Sequence, residues 1–148
     1  MKRLLSLLVL SSLAWFAHAA GEQKQVFGNY EIHYMMLNST TLPAEVARSY
    51  QLQRSGKLGY LMISVLEQQP DKDLPQPVPA LVSARIKNLI GQERDIDLKE
   101  IQEQGGIYYV GNFSFDDEDI YRFEIAVKAE PGQDKPFTFV HQQQMFFE

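Results

Sequence analysis

Cysteine is absent from all 148 residues. That rules out disulfides, a thiolate nucleophile and a lipid-anchored bacterial leader. Basic charge is scarce as well, with 14 Lys and Arg against 19 Asp and Glu. Lys2 and Arg3 are the only charged residues before position 20, so the rest of the chain carries 12 basic and 19 acidic residues, a net charge of −7. Nucleic acid and anionic membrane select basic surfaces, so neither is expected as a partner. Long apolar runs are missing too. The longest, Leu4–Phe16, spans thirteen residues with three serines in it, and a membrane span needs about 20. No internal repeat and no low-complexity segment occurs.

The short run fits a different purpose. Lys2 and Arg3 make a positive start, Leu4–Phe16 an apolar centre, and Ala17-His18-Ala19 a small-x-small cleavage signature. This is the pattern of a secretory signal peptide over residues 1–19, cut before Ala20. Leu-rich runs form helix readily, so residues 3–16 are expected to be helical. No stable membrane insertion is expected after cleavage. Residues 20–148 suit one domain, large enough to bury about two-thirds of its unfolded surface without staples. An exported chain without cysteine fits a bacterial periplasm better than a disulfide-rich extracellular setting. The sequons at Asn38 and Asn112 then carry no glycosylation meaning.

Period-two alternation dominates the remainder. Residues 106–129 hold two such runs. Ile107, Tyr109, Phe113 and Phe115 are the apolar set of the first, and Tyr121, Phe123, Ile125 and Val127 that of the second, with Arg122, Glu124 and Lys128 between them. Alternation with β-branched and aromatic enrichment marks half-buried strands. The core is expected to contain Tyr109, Phe113, Phe123, Ile125 and Val127, with Arg122 and Glu124 exposed. Four carboxylates, Asp116–Asp119, join the runs. A hairpin there would set Phe113 opposite Phe123. A tyrosine corner at Tyr121 would instead carry the chain from one sheet to the other across 116–120.

Further strands are expected over 27–38, 58–66, 82–90, around Ile96 and Leu98, and over 137–147. In the first, Tyr30, Ile32, Tyr34 and Met36 share one face, and Glu31, His33 and Met35 the other. The run Leu58–Leu66 is apolar at almost every position and reads as central. Prolines at 70, 75, 77 and 79 make 68–79 a surface loop incompatible with strand. Pro43 and the formers that follow predict a short helix within 43–50, packing Val46 and Tyr50 inward and capping one open end of the core. About seven strands with one short helix after the first predict an all-β, immunoglobulin-like sandwich.

Several pieces in order resemble a bacterial exported family defined as domain of unknown function 4426. They are Phe27-Gly28-Asn29-Tyr30-Glu31-Ile32-His33-Tyr34, Asn38-Ser39-Thr40, Pro43-Ala44-Glu45-Val46-Ala47, Asn88-Leu89-Ile90-Gly91, Ile107-Tyr108-Tyr109 and Arg122-Phe123-Glu124-Ile125. The resemblance implies an exported, single-domain architecture and brings no activity with it.

Chemistry-bearing patterns are sparse. The Asp116–Asp119 run lacks the alternate spacing and glycine of a calcium loop. His33 and His141 each have methionine nearby: Met35 and Met36 for the first, Met145 for the second. Imidazole with thioether suits Cu(I), and the first and last strands of a sandwich tend to be close. Parity sets Met35, not Met36, beside His33. No G-x-S-x-G and no serine–histidine pattern supports a hydrolase, and no histidine pair has zinc spacing. No catalytic, cofactor or metal residue is assigned. The residues with an assigned role are Ala17, Ala19 and Ala20 at the signal cleavage. The reading is a soluble periplasmic, non-catalytic binding or accessory module for an envelope protein or small ligand. A copper-binding protein using His and Met is the alternative, and a small hydrolase the remaining one.

Overall fold

The computed structural model describes residues 23–148. The expected signal peptide over 1–19, its helix over 3–16 and the cleavage residues Ala17, Ala19 and Ala20 lie outside the described residues. In chain order the elements are β1 (Gln23–Phe27), β2 (Tyr30–Asn38), α1 (Ala44–Ser49), β3 (Leu58–Glu67), β4 (Gln76–Pro77), β5 (Leu81–Asn88), β6 (Glu93–Ile96), β7 (Lys99–Glu103), β8 (Gly106–Ser114), β9 (Ile120–Lys128) and β10 (Phe137–Gln144). Two antiparallel sheets form. Sheet A has the order β1-β2-β3-β8-β7, with β4 attached to β3, and sheet B has the order β10-β9-β5-β6. The all-β sandwich expected from alternation is the fold observed.

The strand count exceeds the expected seven for local reasons. A turn at Gly28, whose φ is +58°, folds the first segment back on itself as β1 and β2. The segment around Ile96 divides into β6 in one sheet and β7 in the other. The proline-rich loop is not wholly strand-incompatible, since Gln76 and Pro77 pair with Glu67 and Leu66. β4 is an edge, where proline's missing N–H costs no ladder bond.

The core lies between the sheets. Ile32, Tyr34 and Met36 of β2, Leu61, Ile63 and Val65 of β3, Tyr109 and Phe113 of β8, and Phe123, Ile125 and Val127 of β9 are all buried. Phe113 meets Phe123 edge-on across the interior, with centroids 5.0 Å apart. Arg122 is exposed as expected, whereas Glu124 is half-buried. β9 is an interior strand, and Arg85 and Val140 flank Glu124 from both sides. Ile90 is not part of the core: β5 ends at Asn88, and Ile90 is 81% exposed at the turn.

The chain crosses between sheets at 115–119. β8 pairs with β3 and β7, and β9 pairs with β10 and β5, so the hairpin register is not formed. The Asp116 amide donates to the Tyr121 hydroxyl at 2.9 Å, which is the tyrosine corner, the other of the two expected options. A second crossing joins β6 to β7. There a Cβ on Gly111 would stand 2.1 Å from the Asp97 carbonyl oxygen, so only glycine admits the link.

The helix forms directly after Pro43, which is its N-cap, but it does not cap an end of the core. It lies on the outer face of sheet A. Ala47, Leu42 and Leu52 bury against Tyr60 and Val110 there, with Val46 and Tyr50 half-buried at the edge. This second, smaller core explains why β3 is apolar on both faces and why Val110 is buried against its strand's parity.

Candidate functional site

The outer core ends short of the β1 side of sheet A, and a small recess of about 120 Å³ opens there. Strand alternation turns Ile32, Tyr34 and Met36 inward and leaves His33 and Met35 outward. The β2–β3 register then sets Ser64 opposite His33 and Met62 opposite Met35. Cross-strand partners on one face have Cβ atoms about 5 Å apart. Tyr108 of β8 adds an aromatic wall. All five side chains are half-buried.

Hydrogen bonds orient the group. His33 Nε2 lies 2.9 Å from Glu31 Oε2, and Lys24 Nζ lies 3.5 Å from Glu31 Oε1. The His33 contact, aided by Lys24, holds the Glu31 carboxyl below its usual range. The Tyr60 hydroxyl donates to Met35 Sδ at 3.9 Å. Beside the recess, Tyr50 bonds to Glu103, which pushes the Tyr50 hydroxyl up to about 12. The recess therefore presents two thioethers, an imidazole backed by a carboxylate, and one serine hydroxyl.

His141 is elsewhere. β10 does pack near β1 and β2, with Phe137 stacked on Phe27 at 4.8 Å and Phe139 against Tyr34 at 4.9 Å. But His141 faces inward and meets the Tyr34 ring edge-on at 5.5 Å. Burial pushes its imidazole below the ordinary value. His33 is on the opposite face of sheet A, so the two histidines share no site. Met36 and Met145 are buried in the core. Gln143 spans them, its amide donating to the Met36 carbonyl at 3.0 Å and approaching Met145 Sδ at 3.4 Å.

Sequence reasoning does not reach Met62. It stands within the apolar run of β3, and nothing in that run reveals which residue of β2 it faces. Two of the four carboxylates of 116–119 help to hold the sheet crossing. Asp117 Oδ1 accepts from the Phe147 amide at 2.7 Å, and Asp119 Oδ1 from the Ile120 amide at 3.0 Å. A wider groove at one end of the sandwich is lined by Tyr30, Glu67, Glu100, Lys128 and Glu130. Tyr30 donates to Glu130 Oε1 at 2.6 Å there, which raises its hydroxyl far above the usual range.

Solved structures with the same architecture place this geometry in context. A crystal structure of a DUF4426 family protein from Pseudomonas aeruginosa matches with a TM-score of 0.73 at 30% identity, covering 86% of this chain and 97% of that one. FetP of uropathogenic Escherichia coli, as isolated after expression in the periplasm, matches with a TM-score of 0.60 at 11% identity, covering 86% and 95%. A copper-bound variant of FetP matches with a TM-score of 0.60 at 13% identity, covering 87% and 97%. At that identity the FetP likeness is one of fold. No curated protein matches the chain by sequence. The family model described as "Domain of unknown function (DUF4426)" matches residues 24–148, and the chain belongs to that family.

Proposed function

We propose that the protein is a non-catalytic binding module of the bacterial periplasm, and that its ligand is taken at the outer-face recess. The carrying observation is the recess itself: His33, Met35, Met62, Ser64 and Tyr108 converge on one concave spot set on two paired strands. Such a site is pre-formed, because the register of β2 and β3 cannot slip without turning the core face outward. Filling the recess tests the reading. Native mass spectrometry of protein isolated from the periplasm is expected to find a bound small ligand or ion, lost in Ser64→Trp. A ligand retained by that variant would move the site elsewhere. The same spectra are expected to give Ala20 as the first residue, and a retained Met1 would remove the periplasmic part of the reading.

A second reading, a periplasmic copper-binding protein using histidine and methionine, is favoured by a specific observation. Two methionines face each other across β2 and β3 with a histidine beside them. The copper-bound FetP variant supports it as a relative in fold. The hydrolase reading has less behind it. Ser64, His33 and Glu31 are neighbours, but acyl transfer also needs donors for an oxyanion. The stretch of β2 that carries His33 is paired with β1 on one side and β3 on the other, which commits its amides.

A further inference from the structure

We infer that the free edge of β10 is a docking surface for a second copy of this chain, joined by antiparallel β10–β10 pairing at a place separate from the recess. Sheet edges invite added strands, and proteins blunt them with charge, proline, bulges or brevity. Every other edge among the described strands is blunted in this way. β6 has four residues, and Glu93, Arg94 and Asp95 among them are charged. β7 carries Lys99, Glu100 and Glu103. β4 is two residues with a proline, and β1 is five residues with Lys24 among them. β10 has none of these devices. Its eight residues include no Lys, Arg, Asp, Glu, Pro or Gly. Its ladder with β9 runs without a bulge from Phe137 to Gln144.

Backbone parity shows what the edge offers. One step past the last β9–β10 pair, the Met145 amide donates to the Asp119 carbonyl at 2.9 Å. Ladder bonds on one side of a strand recur at every second residue. The odd residues of β10 therefore bond to β9, and Thr138, Val140, Gln142 and Gln144 turn their N–H and C=O groups to the open side. Among the described residues nothing bonds to those groups. The side chains of the same four residues are exposed. Beneath them Phe137 stacks on Phe27, Phe139 meets Tyr34, and His141 meets Tyr34 edge-on. These contacts hold the strand in place before a partner arrives, which lowers the ordering cost of association. The partner follows from charge and symmetry. The exposed row is neutral, so it gives a charged peptide no counter-charge, and two copies can meet along it without like charges opposed. An antiparallel two-fold contact is self-complementary. The register that uses all four residues sets Thr138 opposite Gln144 and Val140 opposite Gln142 of the second copy. The axis then passes at His141, which faces its own copy. Sheet B continues through the axis into the sheet B of the second copy.

The test uses the exported chain alone. A single strand edge is a small interface, so sedimentation equilibrium is expected to show dimer growing over about 10 μM to 1 mM. Val140→Pro removes an amide that faces the open side, so the β9 ladder keeps its bonds while the added strand loses one. Val140→Lys places a charge on the edge. Both variants are expected to stay monomeric, while Val26→Lys, on the exposed face of β1, dimerises like wild type. Amide exchange supplies a residue-level readout. The amides of Thr138, Val140, Gln142 and Gln144 should slow with rising concentration, and those of Lys24 and Val26 should not. The chain has no cysteine, so His141→Cys reports alone. A self-opposed pair of this kind has Cα atoms about 4.5 Å apart, within reach of a disulfide, and mild oxidation should link two copies. Monomer throughout the range, or dimer undiminished in the folded Val140 variants, would overturn the proposal. If Val140→Pro fails to fold, Val140→Lys and the exchange pattern decide.

Discussion

The ring of His141 meets that of Tyr34 edge-on at 5.5 Å, on the inner side of β10. Burial there lowers the imidazole's proton affinity from its ordinary 6.5, opposed by the Gln143 side chain. Above that value His141 is neutral in both the folded and unfolded chain and contributes no pH dependence. As the pH falls below about 6.5, the unfolded chain takes up a proton that the folded one resists, so stability falls. Urea melts at about pH 7.5 and 5.5 are expected to show this loss in wild type and a smaller loss in His141→Gln. Equal losses in the two proteins would assign the dependence to other groups.

Tyr121 and Tyr109 perform the same task at opposite ends of the sandwich. Each accepts a hydrogen bond from a backbone amide of a connecting segment, Asp116 at 2.9 Å and Ala80 at 2.8 Å. Tyr121→Phe removes one such bond and leaves an amide without its acceptor, a loss of about 1–2 kcal/mol. Chemical denaturation measures it, and an unchanged midpoint would mean that water replaces the hydroxyl at no cost.

Phe123 is fully buried and Arg122, its neighbour, is exposed. Phe123→Ala should cost about 3–5 kcal/mol. Arg122→Ala should change stability by about 0.5 kcal/mol or less. Arg122 is the better surface control, because Glu124 is half-buried among its cross-strand neighbours. Similar losses in the two variants would contradict the facing of β9.

Gly111 marks the place where the β6–β7 link passes under β8. A methyl at this position would stand 2.1 Å from the Asp97 carbonyl oxygen and 3.2 Å from the Ile96 side chain. Backbone cannot yield as a flexible side chain does, so Gly111→Ala is expected to cost about 1–3 kcal/mol or more by overpacking. A thermal melt matching wild type would show that the link has room to move.

Much of this molecule is legible in one dimension because strand structure has a period of two. Alternation at Tyr121, Phe123, Ile125 and Val127 states which face each residue presents, and it holds whichever strand lies alongside. The helix at Ala44–Ser49 is announced by Pro43, although the proline stands just outside the first turn, as the N-cap with ψ of 144°. The same parity separates His33 and Met35 from Met36 by odd and even position alone. Acidic charge and the absence of cysteine are likewise complete in the sequence, because they depend on count and not on place.

Pairing is what the tertiary structure decided. Hairpin and sheet crossing at 116–120 demand the same inward residues, so alternation cannot choose between them. The choice falls to Tyr121 reaching the Asp116 amide, and to β3 and β5 taking the edges that a hairpin would have used. The candidate site follows the same rule. His33 and Met35 are readable as one face of a strand, whereas Met62 joins them through a ladder between residues 27 positions apart. Register of that kind is set by burying both strands' apolar sets together, a property of the packed sheet and of neither strand alone.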